Sequence, residues 1–189
     1  MLDLSTILYS IAGLLFLALV YMVVTYNRIA RLRNLVRESW SDVDVALKRR
    51  YDLIPNLVAT VKAYASHEET LLTQIATARE RAVVASGSVN DKQDEEKKLV
   101  SSVNTLLGRV EAYPDLQSSS QYLALQQELI NTEDRIAAAR RFYNANVRDF
   151  NTLLSRFPTG MVAKANGFAE APFFDVEGLD LESAPKVSV

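Results

Sequence analysis

The chain has 189 residues, of which 49% are apolar and 23% are charged, and its formal net charge is -2. This length accommodates one ordinary domain and an additional segment, and the near-neutral charge argues against nucleic acid as a partner. The sequence has no cysteine and one histidine. These counts exclude disulfides, thiolate metal sites and a cysteine nucleophile, and we expect no metal or other cofactor, because carboxylates alone rarely hold zinc.

The first element is an apolar stretch at residues 4–27, which contains no Asp, Glu, Lys, Arg or His. About 20 apolar helical residues cross the ~30 Å hydrocarbon core of a bilayer. A cleaved signal peptide is the alternative, but such a peptide begins with positive charge, and Asp3 is the only charged side chain before Arg28. The pattern therefore predicts an uncleaved transmembrane anchor within residues 1–27.

Four arginines follow this anchor, whereas no Lys or Arg precedes it. Under the positive-inside rule, this asymmetry predicts a single-pass protein of the bacterial inner membrane, with its N-terminus outside and the rest in the cytoplasm. The same cations are candidates for contact with anionic lipid headgroups at the membrane interface. They are Arg28, Arg31, Arg33 and Arg37.

Between Gly13 and Pro55 the sequence has neither glycine nor proline, so the helix of the anchor can extend beyond the bilayer. A 3,4 spacing predicts one buried face, formed by Ile29, Leu32, Val36, Ser39, Val43 and Ala46. Residues 48–50 are basic and predict the end of this helix, while Asp52 and Pro55 predict the start of a second one that continues to about Ala85. Ser66 and Glu69 have capping-box spacing, which allows an interruption there.

Two further helices are predicted after a loop at residues 86–90. The third covers about residues 91–113 and is broken at Pro114. The fourth has a heptad pattern, which predicts a helix about 50 Å long with coiled-coil-like packing along one seam. The seam residues are Leu125, Leu129, Thr132, Ile136, Ala139, Tyr143, Asn146, Phe150, Leu153 and Phe157. Thr132 and Asn146 are polar, which favours a role in fixing helix register.

The predicted fold class is all-α, because no segment shows the alternation typical of a strand. We expect a transmembrane helix followed by an antiparallel, four-helix-type bundle of long helices at residues 28–158. Residues 159–189 mix glycine, proline, acids and aromatics and predict a C-terminal tail. Phe168, Phe173 and Phe174 predict that its first part packs, whereas the end from Glu177 is predicted to be disordered.

Two polar groups are candidates for chemistry, but neither has the required pattern. His67 precedes two glutamates, but neighbours one and two residues apart do not share a helix face, and the Glu-x-x-His pattern of bundle metal sites is missing. Glu133 and Asp134 are adjacent and point in different directions, and Arg135 and Arg140 are expected to neutralise them. We therefore predict no catalytic, cofactor-binding or metal-binding residues and no enzymatic activity.

Three segments resemble the LemA family of bacterial single-pass membrane proteins. They are YNRIARLRNLVRESWSDVDVALKRRYDLIPNLVATVKAYASHE at residues 26–68, LQQELINTEDRIAAARRFYNANVRDFNTLLSRFP at residues 125–158, and MVAKANGF at residues 161–168. The resemblance implies an N-terminal membrane helix and a cytoplasmic helical bundle, and it brings no established catalytic residues. Members of the family have been linked to specialised membrane organelles, and some are encoded near membrane proteins suspected of stress or quality-control roles.

These observations lead to two functional hypotheses. The first is a non-enzymatic scaffold at the inner membrane, in contact with the lipid bilayer, that self-associates into a homo-oligomer through the long seam and the apolar part of the tail. The second is an adaptor or sensor that binds another membrane protein in envelope stress or quality control.

Overall fold

The structure is a computed structural model and describes residues 3–85 and 88–181. Within these ranges the regular secondary structure is entirely helical, which confirms the predicted all-α class. The elements are α1 (Leu4–Tyr64), a 3₁₀ turn (Ser66–Glu68), α2 (Glu69–Val84), α3 (Val89–Val110), α4 (Pro114–Gln117), α5 (Ser120–Ser155) and α6 (Thr159–Ala165).

Helix α1 is one continuous helix of 61 residues, where the sequence predicted two. The end predicted at residues 48–50 and the start predicted at Asp52 are wrong, because the helix passes through Pro55. A proline lacks the N–H that bonds the carbonyl four residues earlier, which here belongs to Tyr51. Arg79 of α2 replaces that donor, since its Nε lies 2.7 Å from the Tyr51 carbonyl oxygen. A side chain distant in sequence therefore satisfies α1 at its proline.

The chain turns after α1 rather than at its proline. Ala65 leaves the helical conformation, with φ of -129° and ψ of 59°, and the 3₁₀ turn follows it. His67 is exposed on this turn, and α2 begins at Glu69. The capping box predicted for Ser66 and Glu69 falls on a Ser66 side chain outside the described part of the structure.

The described residues belong to two compact units. Unit 1 combines the chain up to Glu38 with Ala145–Ala171, and unit 2 combines Ser39–Asn144 with the chain from Pro172 onward. Helices α1 and α5 each contribute residues to both units.

Unit 1 contains the apolar N-terminal part of α1, and this part is largely uncovered by protein. Leu14, Leu15 and Phe16 keep between 65% and 67% of their surface exposed. By length and composition, α1 is able to cross a membrane, with the candidate span beginning at Leu8. Towards the end of this unit, Phe168 packs edge-on against Tyr26, with ring centroids 5.7 Å apart.

Unit 2 has the helical core. Helices α2 and α3 form a hairpin joined at residues 85–88, and segments of α1 and α5 pack with them. Apolar side chains from all four helices are buried, among them Val43, Leu47, Ile54, Leu57, Leu72, Ile75, Leu99, Val103, Leu106, Leu129 and Tyr143.

The predicted seam of α5 lies in the interior along most of its length. The exception is Phe157, which is 85% exposed because α5 ends at Ser155. Thr132 is buried, and its hydroxyl donates to the Glu128 carbonyl of its own helix at 2.8 Å. The buried stripe is also wider than a two-position heptad seam, since Val147 is fully buried beside it.

The described part of the C-terminal tail is bonded to side chains of α3 and α5. After α6 the chain has no regular secondary structure as far as Leu181, yet Leu179 and Leu181 are buried. The disorder predicted from Glu177 stays a prediction, and residues 182–189 lie outside the described ranges. Phe174 is fully buried, as predicted, but Phe173 is 47% exposed.

Candidate functional site: a buried ion network and a bound tail segment

The four arginines predicted at the membrane interface all lie on α1 in unit 1, and all are exposed. Arg28, Arg31 and Arg37 extend from the helix surface. Arg33 also lies over the Phe168 ring, with its guanidinium carbon 5.7 Å from the ring centroid. Their exposure leaves them accessible to headgroups, and contact with lipid stays a prediction.

The interior of unit 2 contains an ion network centred on Arg50 of α1. Arg50 is 1% exposed, and Glu96 of α3 is completely buried. The Arg50 Nη1 donates to Glu133 Oε1 of α5 at 3.0 Å, and Nη2 donates to Glu96. Because a guanidinium presents its donors in a planar fork, one side chain can bond two carboxylates at once. Arg50 therefore joins three helices.

Tyr51 and Lys92 extend this network to α2. The Tyr51 hydroxyl donates to Glu96, and the Lys92 Nζ donates to the Ala82 carbonyl at 2.8 Å. The Lys92 ammonium also lies 5.1 Å from the centroid of the Tyr51 ring and 3.6 Å from Asp44 Oδ1. The ion network, defined as Arg50, Tyr51, Lys92, Glu96 and Glu133, therefore contacts all four helices of the core.

The surroundings raise the pKa of two members of the network, Arg50 and Tyr51. Burial alone lowers the pKa of Arg50, but the nearby charges of Glu133 and Glu96 raise this pKa above its ordinary value. Burial, and then the charge of Glu96, raise the pKa of the Tyr51 hydroxyl, which therefore remains a donor. Arg50 is paired with the carboxylates of Glu96 and Glu133, and the Lys92 ammonium is paired with that of Asp44. Neutralisation of this kind is what allows ions to remain buried.

Glu133 and Asp134 are adjacent in the sequence but lie in different environments. Glu133 bonds Arg50, whereas Asp134 is exposed. The expectation that Arg135 and Arg140 neutralise these acids is wrong, because Arg135 is exposed and Arg140 donates to the Val176 carbonyl. Across residues 3–85 and 88–181, no group of three His, Asp or Glu side chains is placed to hold a metal ion.

A second feature of unit 2 is a tail segment bound by helix side chains. We call residues 172–181 the strap. The Asn144 amide of α5 donates to the Phe174 carbonyl and accepts from the Phe174 N–H, both at 2.9 Å. A carboxamide carries the same donor and acceptor as a peptide group. Asn144 therefore pairs with the strap as a neighbouring strand does.

Other side chains of α3 and α5 continue this pattern along the strap. Tyr143 donates to the Pro172 carbonyl at 2.7 Å, Gln93 accepts from the Asp175 N–H at 2.7 Å, Asn104 accepts from the Asp180 N–H at 2.9 Å, and Arg140 donates to the Val176 carbonyl. These bonds compensate for the lack of secondary structure, since buried or half-buried peptide groups need partners.

Phe174 is the apolar anchor of the strap. Its ring lies 5.3 Å from that of Trp40 in an edge-on arrangement, and Trp40 lies 5.2 Å from Tyr143. Aromatic pairs at such distances are favourable beyond the area that they bury. Burial at this cluster also raises the pKa of Tyr143 to about 12.

The strap also contacts the ion network at Glu133. The Leu179 N–H donates to Glu133 Oε2 at 3.2 Å. A Cβ placed on Gly178 would lie 3.1 Å from the same oxygen, so glycine permits this close approach. Glu133 thus accepts from Arg50 on one side and from the strap on the other.

Sequence reasoning missed the network, although the sequence carried a signal. The 3,4 spacing of the buried α1 face continues from Ala46 to Arg50 and then to Ile54 and Leu57. A charged residue on an otherwise apolar stripe predicts a buried ion with partners. Glu96 has the same position in α3, between the buried residues Lys92 and Leu99.

The sequence is similar to a known protein family and to several named proteins. A sequence profile described as the LemA family matches residues 39–189. The magnetosome protein MamQ of Magnetospirillum gryphiswaldense is 25% identical over 178 residues, which cover 81% of this chain and 65% of the relative. MamQ 2 of Paramagnetospirillum magneticum is 27% identical with the same coverage of both chains. Protein LemA of Metamycoplasma hominis is 25% identical over 165 residues, covering 84% of this chain and 74% of the relative.

The alignment therefore spans slightly less than two thirds of each MamQ relative, whereas the family profile covers most of the chain studied here. That profile match includes the ion network, the aromatic cluster and the strap. The chain belongs to the LemA family.

Proposed function

We propose that this protein is a non-enzymatic scaffold that α1 anchors in the bacterial inner membrane. The observation that carries the proposal is the uncovered apolar part of α1, where Leu14 and Phe16 are about two thirds exposed. Burying a side chain of this size is worth about 1.5–3 kcal/mol. A run of such residues favours an apolar phase, and a bilayer supplies one.

The exposed arginines support a cytoplasmic location for unit 2, because positive charge is retained on the cytoplasmic side. The cysteine-free sequence makes this orientation testable with single cysteines. We expect a membrane-impermeant maleimide to label Asp3→Cys in intact spheroplasts and to label the exposed Gln127→Cys only after lysis. The opposite pattern would contradict the orientation.

Self-association is the second part of the proposal. The α5 seam, from which self-association was predicted, is mostly buried within the chain, so contacts between copies require other surfaces. Phe142, Phe157 and Met161 are exposed apolar side chains that support such contacts. The relatives that are named magnetosome proteins support a role in a specialised cellular compartment.

The experiment is a mass measurement on the full chain in mild detergent, combined with electron microscopy of the same sample. We expect particles that contain several copies at micromolar concentration. A homogeneous monomer at that concentration would overturn the scaffold proposal.

An adaptor or sensor is the second candidate, and the strap is the observation that favours it. A groove whose side chains bond peptide groups is also suited to a peptide from another membrane protein. Cross-linking in native membranes is the test, and recovery of self-contacts alone would count against this alternative.

A further inference from the structure

The apolar start of α1 is uncovered up to a defined level. Every residue from 8 to 24 is exposed, whereas Thr25 is buried. The candidate span begins at Leu8, and about 20 helical residues cross the hydrocarbon core, so Tyr26 lies where an anchored α1 leaves the bilayer. The Phe168 ring packs edge-on against Tyr26. The part of unit 1 around Phe168 therefore lies at the level of the membrane surface.

The chain that leads to Phe168 is a loop with its two ends held together. Helix α5 passes Asn151 and ends four residues later, and the chain returns at Ala171. There the Asn151 amide donates to the Ala171 carbonyl and accepts from the Ala171 N–H, both at 2.9 Å. We call residues 152–170 the reversal loop. Through Phe168, this loop contacts α1 at Tyr26.

Internal contacts hold the reversal loop in shape. Gly160 lies so close to the end of α5 that an added Cβ would be 2.5 Å from the Leu154 carbonyl oxygen. At the other end of α6, the Phe168 N–H donates to the Ala163 carbonyl at 3.1 Å. This bond joins α6 to the ring that packs on Tyr26. The exposed side chains of the loop are therefore presented from a fixed backbone.

Two large apolar side chains are exposed on the reversal loop. Phe157 is 85% exposed and Met161 is 64% exposed. Helix α6, which leads from them towards Phe168, has seven residues and is only about 10 Å long. Interfacial elements bury their apolar side chains about 5–10 Å into the boundary between headgroups and acyl chains. Both side chains therefore lie close enough to the bilayer surface to enter it.

The charged side chains nearest to them in the sequence are positive. Arg156 and Lys164 are exposed, and residues 150–169 contain no Asp or Glu. Residues 25–37 of α1 carry four exposed arginines and no acid. Cations around exposed apolar side chains match a surface of anionic lipid. A second copy that presented the same surface would bring like charges together, so the charge pattern favours lipid as the occupant.

We propose that the reversal loop is a second membrane contact, in which Phe157 and Met161 enter the headgroup region of the bilayer that α1 spans. Arg156 and Lys164 bind anionic phospholipid headgroups beside them. This inference rests on the proposed anchoring by α1, and with two contacts unit 1 has a fixed orientation on the membrane. Lipid then covers Phe157 and Met161, which leaves Phe142 of unit 2 as an exposed aromatic side chain for contacts between copies.

Quenching of tryptophan by brominated lipid tests this contact in the full-length protein. The chain is reconstituted into vesicles of phosphatidylcholine and phosphatidylglycerol whose acyl chains are brominated near the headgroup. The wild type, whose single tryptophan is Trp40, gives the background. We expect Phe157→Trp to lose most of its added fluorescence. Phe142→Trp is the matched control, because Phe142 is exposed and aromatic but lies in unit 2, and equal losses at the two positions would overturn the contact.

Phe16→Trp separates this inference from the proposed anchoring, because Phe16 lies within the candidate span. Quenching of Phe16→Trp without quenching of Phe157→Trp would refute the loop contact and leave the anchor standing. Loss of quenching at both positions would refute both proposals. If a second copy covers Phe157 instead, the tryptophan emission shifts to shorter wavelength without bromine quenching, which also refutes lipid as the occupant.

The charge of the vesicles tests the role of the cations. In brominated phosphatidylcholine alone, we expect less quenching of Phe157→Trp than in vesicles that contain phosphatidylglycerol. Arg156→Gln and Lys164→Gln should each reduce this difference. Arg148→Gln is the control, since Arg148 is exposed on α5 outside the reversal loop, and it should leave the difference unchanged. Equal quenching in the two kinds of vesicle would overturn headgroup binding by Arg156 and Lys164.

Discussion

The two ends of α1 show opposite relations between chemistry and burial. In the N-terminal part, Phe16 is apolar and 65% exposed, whereas in the C-terminal part, Arg50 is charged and 1% exposed. Each end departs from the usual arrangement of a soluble protein, in which apolar side chains are inside and charges outside. The two ends of α1 therefore lie in different environments. The exposed apolar side chains require an apolar partner, and the buried charge of Arg50 requires partners of opposite charge.

The partners differ in where they come from. Arg50 finds its partners within the chain, as two carboxylates from α3 and α5. Leu14, Leu15 and Phe16 at the apolar end are about two thirds exposed in unit 1, and the proposed partner for them is lipid. A charge inside a protein is tolerated when it is paired and hydrogen-bonded.

Arg50→Ala tests the buried end of the comparison. The substitution leaves Glu96 and Glu133 without their cation, and removal of one partner from a buried ion pair costs about 3–5 kcal/mol. We expect a loss of this size in the free energy of unfolding, measured from urea denaturation followed by circular dichroism. Arg49→Ala is the matched control, because Arg49 is exposed, and it should stay within about 0.5 kcal/mol of the wild type. Equal losses of unfolding free energy in the two variants would show that the cost does not depend on the burial of the arginine.

Phe174→Ala tests whether the strap depends on its anchor. A fully buried Phe→Ala change costs about 3–5 kcal/mol, and we expect the low end because the strap can detach without unfolding the helices. Faster hydrogen exchange at Phe174 and Leu179 and a change in the fluorescence of the single tryptophan, Trp40, should report the release. Phe173→Ala is the control, since Phe173 is 47% exposed. Unchanged exchange in the Phe174 variant would contradict the role of the anchor.

Arg79→Ala tests the support of α1 at its proline. The substitution leaves the Tyr51 carbonyl without its donor, and an unsatisfied buried group costs about 1–3 kcal/mol. Urea denaturation should show this loss, with Arg81→Ala as the exposed control.

Pro55→Ala sharpens the same prediction, because alanine returns the missing N–H to the helix. In that background we expect Arg79→Ala to lose most of its effect. An undiminished effect would mean that Arg79 acts through a different contact.

Alkaline pH should weaken the strap contact at Tyr143. The pKa of this hydroxyl is raised from 10.0 to about 12 by burial, so the unfolded chain releases its proton first. Stability from this group is therefore complete below pH 10.0 and is lost as pH rises towards about 12. Thermal unfolding should show a smaller decline over this window in Tyr143→Phe than in the wild type. An identical loss of thermal stability in the two proteins would show that other tyrosines cause it.

The helical class and most of the buried faces could be predicted from the sequence, because a 3,4 spacing of apolar residues is a local signal. The position of the first turn could not be predicted, since Pro55 is typical of a helix start. Only the structure shows that Arg79 donates to the Tyr51 carbonyl and so allows the helix to continue. The strap was also beyond local reasoning. Its partners lie tens of residues away in the sequence. Asn144 and Gln93 bind peptide groups, and because nearly every residue has the same peptide group, these contacts leave no pattern in the strap sequence.

Membrane anchoring by the apolar end of α1 underlies the proposed scaffold, because it concentrates the copies in the bilayer and gives the exposed Phe16 an apolar environment. Washing bacterial membranes with alkaline carbonate, followed by sedimentation and detection of the full-length protein, tests this directly. We expect the intact chain to remain in the membrane pellet and to be released only by detergent. Release of the full-length chain into the carbonate supernatant would contradict a transmembrane α1.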